Sequence, residues 1–144
     1  QSAKCDLWNN NTNSEERVRT LESACNKIVI AISIINNELE NNDNRNLNIS
    51  LAHIQFTHAT ILSALFSINE HKELQQAYKA LDATELAFLS PYNNEYLKKE
   101  LNNREPTRIS TMLNEIASNQ ELKTAMNSEY REKLSKLLKQ LIEF

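Results

Sequence analysis

The chain has 144 residues, a formal net charge of −3 and 40% hydrophobic residues, which fits one soluble domain long enough to bury a core. It contains no glycine, where average usage near 7% would give roughly ten. Phosphate-cradling loops, dinucleotide fingerprints and nucleophile elbows are thereby excluded in their usual form, hairpin-rich sheets are disfavoured, and the mild acidity leaves no basic field for nucleic acid.

What remains is an all-α fold: one domain over 1–144, a single compact bundle of five to six helices preceded by an irregular arm over 1–12. The arm holds Cys5 and the single tryptophan, Trp8. A start at Gln1 reads as a processed, exported chain, in which Cys5 and Cys25 form a disulfide. That bridge would close a loop of about 20 residues and contribute roughly 3 kcal/mol. Two reduced thiols are the cytosolic alternative.

Asn13 followed by Glu16 resembles a capping box that opens the first helix. Val18, Leu21, Cys25, Ile28, Ile32, Ile35 and Leu39 then recur three and four apart as one apolar stripe. Between Ile28 and Ile35 the helix is apolar nearly all round, which predicts burial on several sides. Glu40–Asn48, with five asparagines, reads as a loop. The second helix follows to about Asn69 with Leu51, Ile54, His58, Ile61, Leu65 and Ile68 facing inward. No Asp, Glu, Lys or Arg occurs from Asn46 to Asn69, as expected of a central helix or one that faces a partner. Its many polar residues argue against a membrane span.

A third helix is expected over about 70–89, with Leu74, Ala77, Tyr78, Leu81 and Phe88 inward and Ser90-Pro91 as its stop. A short helix over 94–102 follows. Pro106 suits the first turn of another, with Ile109, Met112, Leu113 and Ile116 as its stripe. Asn127 or Ser128 caps the last helix, whose inward positions are Tyr130, Leu134, Leu137, Leu138, Leu141 and Phe144. The first two helices are expected at the bundle centre.

Signatures of chemistry are weak. His53 and His58 lie five apart, about 140° around a helix, so they do not share a metal ion, and no metal or cofactor is expected. No arrangement of nucleophile, base and orienting group marks an enzyme. Glu85 reads as an edge glutamate paired with a lysine, and the basic rim Arg131, Lys133, Lys136 and Lys139 as structural.

The leading expectation is a small exported binding protein, periplasmic or secreted, in concrete form an immunity or inhibitor protein against a toxin or hydrolase. Its contact face would be the uncharged side of the second helix, His53, Phe56, Thr60, Ser63 and Ser67, with Phe56 as anchor and a homodimer as another use of that face. One alternative is a small-molecule-binding bundle in which His58 and Tyr78 hold the ligand. A cytoplasmic adaptor or secretion chaperone is the other.

Overall fold

The computed structural model describes residues 14–102 and 108–143 and contains no strand among them. Its helices are α1 (Ser14–Asn41), α2 (Arg45–Ile68), α3 (Leu74–Leu89), α4 (Asn94–Asn102), α5 (Arg108–Ser118), α6 (Gln120–Ala125) and α7 (Ser128–Glu143), with a 3₁₀ turn over Pro91–Asn93. The all-α expectation holds, with one helix more than the five to six expected. The addition is α6, a short helix started by Asn119, whose side chain accepts from the Leu122 N–H at 3.1 Å. The irregular arm, Cys5, the Asn13 cap and Pro106 lie outside the described residues.

Lack of glycine is visible in how the helices end. No described residue has positive φ, so the left-handed cap common at helix C-termini is not used. Asn69, Ser90 and Met126 instead leave α2, α3 and α6 in extended conformation. Lys72 supplies donors at the end of α2, reaching the carbonyls of Phe66 at 3.0 Å and Ser67 at 2.8 Å. Those carbonyls belong to the last turn and lack intrahelical partners.

The expected loop over 40–48 shrinks to three residues, 42–44, between α1 and α2. Asparagine acts there as a cap: the Asn44 side chain accepts from the backbone of Asn46 at 2.7 Å and of Leu47 at 3.4 Å. The third helix starts at Leu74 rather than near Glu70.

At the centre lies α2, packed against α1, α3 and α5. Its length and apolarity would also satisfy a membrane span; here it is the core helix. Against α3 it presents Ala59, which is fully buried along with Ala77, Ala80 and Ala87 of the partner helix, and side chains this small favour close approach of the two backbones. Phe66, Leu81, Ile109, Met112, Leu113 and Ile116 extend this core, and Leu97 of α4 with Leu134 and Leu137 of α7 close it.

Two expectations about α1 are corrected. It sits at the edge rather than the centre, and among the described helices it packs substantially against α2 alone. The apolar run is not buried on several sides either: Val29 is 51%, Ile30 60% and Ile34 57% exposed. A 28-residue helix held by one neighbour cannot cover a wide apolar band, because a single helix–helix seam occupies only a narrow stripe.

Candidate functional site

Both α1 and α3 pack on α2, but they do not pack substantially on each other. Between them runs a furrow floored by α2. At the N-terminal end of α1 it widens to about 550 Å³ beside Val18, Leu65 and Ile68. It continues through a space of about 390 Å³ at Cys25, sharing Leu65 and Gln76 with the first. Beyond that, Val29, Ile32, His58 and Leu86 line a smaller depression of about 210 Å³.

Midway along this furrow the Cys25 Sγ lies 3.4 Å from the His58 Nε2. Sequence reading placed both residues on inward faces yet never paired them, because nothing in the spacing of residues 33 apart announces a contact. Burial pushes the Cys25 thiol up; nearby Glu22 adds to this and Lys79 partly offsets it. Burial also lowers His58. Both shifts favour a neutral pair, the thiol donating to the imidazole, over the thiolate–imidazolium pair of an activated nucleophile. Among the described residues no carboxylate orients His58. Both shifts thus oppose the thiolate that nucleophilic catalysis and disulfide exchange alike require.

The second-helix face expected to hold a partner is largely occupied by the chain itself. Ser63 is fully buried and donates to the Ala59 carbonyl at 2.7 Å. Thr60 donates to the Phe56 carbonyl at 3.0 Å. Ser67 donates to the Glu115 carboxylate of α5, which also pairs with Lys72 at 3.5 Å. Phe56 packs on the core and lies 5.2 Å from the Tyr96 ring of α4, between ring centroids. His53 alone of the five is exposed, and its Nδ1 is 2.7 Å from the Tyr96 hydroxyl. Of the two uses expected for this face, cover by other helices or contact with a partner, these contacts belong to the first: α4 meets it at His53 and Phe56 and α5 at Ser67.

His58 and Tyr78, expected as a ligand pair in the small-molecule alternative, line different parts of the molecule. Tyr78 faces α7, stacked on Tyr130 at 3.8 Å, and its hydroxyl accepts from the Asn127 N–H at 3.0 Å. His58 lines the furrow on the α1 side. The two side chains serve different seams of α2 and α3.

Next to Tyr78, Asp82 of α3 accepts from the Tyr130 hydroxyl at 2.9 Å and from Lys133 at 2.6 Å. Glu85 lies 3.4 Å from the same ammonium, as its edge position implied. Desolvation opposes the Lys133 charge, but the bond to Asp82 and the two carboxylate charges outweigh it and hold the pKa above its ordinary value. The hydrogen bond to Asp82 likewise raises Tyr130. Arg131 donates to the carbonyls of Lys123 and Thr124, both at 2.9 Å, and Lys136 pairs with Glu132 at 3.5 Å. These members of the basic rim thus hold the fold.

Among the described residues no cluster of three His, Cys, Asp or Glu is placed to hold a metal. No protein-family model matches the chain, and neither a curated protein nor a solved structure is found to be similar to it.

Proposed function

We propose that the protein acts by binding another protein through the outer face of α1. One observation carries this reading: Val29, Ile30 and Ile34 are each more than half exposed, on a helix supported mainly by α2. No residue from Ile28 to Asn37 carries a charge, and Lys27 and Glu38 bound the patch at its two ends. Single apolar residues are common on soluble surfaces, whereas a contiguous uncharged apolar patch rimmed by polar groups fits the centre of a contact surface. The concrete form of the reading is an immunity or inhibitor protein that occupies a toxin or hydrolase. The periplasmic version of it requires an oxidising compartment and so depends on the redox state of Cys5 and Cys25.

The test is the double substitution Ile30→Glu, Ile34→Glu. Both side chains already face solvent, so circular dichroism and the melting temperature should stay close to those of the parent chain. Affinity capture from an extract of the native organism should yield one dominant protein with the parent chain and lose it with the variant. Sedimentation of the pure protein separates self-association from capture of a different partner. An unchanged set of captured proteins and an unchanged sedimentation coefficient would refute a role for this face.

A further inference from the structure

Helix α1 carries two seams. Leu21, Cys25, Ile28, Ile32, Ile35 and Leu39 recur three and four apart and are buried or half-buried on the side packed against α2. Two residues further along in each case, about 200° around the helix, Ser23, Lys27, Ile30, Ile34, Asn37 and Asn41 repeat the same spacing, and all six are exposed. A stripe with this period is what a second helix packs against. Its apolar centre is Ile30 and Ile34, each more than half exposed. Resting on the reading of this face as a contact surface, we propose that its occupant is a second copy of the chain, docked with the two α1 helices antiparallel about a two-fold axis level with Ile32.

Helix geometry sets the register. Ile30 and Ile34 lie on either side of that axis, each about 3 Å from it along the helix, so Ile30 of each copy meets Ile34 of the other. Lys27 lies about 7.5 Å from the axis on one side and Glu38 about 9 Å on the other, which brings Lys27 level with Glu38 of the second copy. Both project on the same flank of the seam, about 40–60° from its midline, whereas Asn26 and Asn37 project on the opposite flank at about the same angle. A two-fold axis between antiparallel helices keeps each flank on its own side. The contact therefore has four isoleucines at its centre, two Lys27–Glu38 pairs along one flank and two Asn26–Asn37 pairs along the other.

Charge selects this orientation. Among the described residues neither Lys27 nor Glu38 has an ion-pair partner within the chain. A parallel pair in register would set Lys27 against Lys27 and Glu38 against Glu38, which repels at both ends. In the antiparallel pair the two Lys27 residues stand about 15 Å apart along the axis, beyond the screening length of about 8 Å at physiological salt. Because α2 packs on the far side of α1, the bodies of the two copies stand outside the helix pair, and the same face serves both, so assembly closes at two. A seam one helix wide falls in the class below about 1,200 Å², so the dimer is reversible and forms as concentration rises.

Sedimentation of the full chain from about 1 µM to 1 mM tests the proposal, and a monomer should convert to a dimer within that range. Lys27→Glu or Glu38→Lys alone puts like charges together at both ends and should weaken the dimer about tenfold. The double exchange Lys27→Glu, Glu38→Lys restores both pairs only if the helices run antiparallel, and should recover the parent's dimerisation. An equimolar mixture of the two single variants should recover it too. These differences should fade in about 1 M salt, and Ile30→Glu, Ile34→Glu should leave a monomer. All four positions are exposed, so circular dichroism should match the parent in every variant. A parent chain that stays monomeric throughout would overturn the dimer. If Ile30→Glu, Ile34→Glu then still abolished capture of a different protein, the contact-surface reading would stand without it. Single variants that dimerise as the parent does, or a double exchange that rescues nothing, would overturn it equally.

Discussion

Asn93 is the residue whose removal should cost this fold most for its size. It is fully buried in the turn between α3 and α4, and its amide donates to the Ala52 carbonyl at 2.9 Å and the Ala87 carbonyl at 2.8 Å. The two bonds differ in weight. Ala87 lies in the last turn of α3, where carbonyls have no intrahelical partner, so Asn93→Ala would strand a buried acceptor at a cost of about 1–3 kcal/mol. Ala52 lies inside α2, where its carbonyl has an intrahelical partner to fall back on, and loss of that second bond is worth about 1 kcal/mol. The sum, about 2–4 kcal/mol, is a large share of the 5–15 kcal/mol typical of a whole domain. At about 4 °C per kcal/mol for a chain of this size, the melting temperature should fall by about 8–16 °C. Urea unfolding followed by circular dichroism at 222 nm measures the change, with Asn36→Ala on the exposed side of α1 as a control expected to stay within about 0.5 kcal/mol. A destabilisation by Asn93→Ala no larger than the control's would show that the turn does not depend on this amide.

Other seams give further predictions. Lys133→Met should destabilise the chain by about 1–2 kcal/mol, since the ammonium is largely buried while both carboxylate partners are half exposed to water. The raised pKa of Lys133 makes its contribution complete below the ordinary lysine value of 10.5 and lost as pH climbs through the higher folded-state value, so parent and variant urea midpoints should converge only above that ordinary value. His58 has the opposite sign: its folded-state pKa is lowered, so the unfolded chain binds the proton more readily and stability should drop as pH falls below about 6.5. His58→Gln should flatten that slope, and an equal slope in the variant would assign the acid sensitivity elsewhere. Lys72→Met removes the donors at the end of α2 together with the Glu115 contact; a loss of about 1–2 kcal/mol in the same assay is expected, and no loss would mean water serves those carbonyls equally well.

Local chemistry made much of this fold readable. Apolar residues at three- and four-residue spacing located the stripes on α3, α5 and α7, because the period of a helix is a property of the backbone alone. On α2, by contrast, the buried residues are Ala52, Ala59, Ser63, Ala64 and Phe66, and the expected stripe Leu51, Ile54, His58, Ile61, Leu65 and Ile68 is only partly buried. Ser90-Pro91 ended α3 where proline sterics require. The asparagine run misled, since an isolated Asn-rich stretch has the composition of a loop, while in place Asn44 caps α2, Asn41, Asn46 and Asn48 lie within the two helices and only Asn42 stays in the loop. The placement of α1 was also out of reach. Its apolar run has the composition of a buried helix, but burial depends on how many neighbours reach it, and among the described helices only α2 provides substantial contact. The same holds for the site. Residue types marked Cys25 and His58 as inward, and the α2 face at Phe56 as uncharged. Only the packing of α1 on α2 could set the sulfur against the imidazole, and only the return of α4 and α5 could cover Phe56 and Ser67. Periodicity determines which side of each helix is apolar; which neighbour covers that side is decided by long-range contacts whose energies no local window of sequence contains.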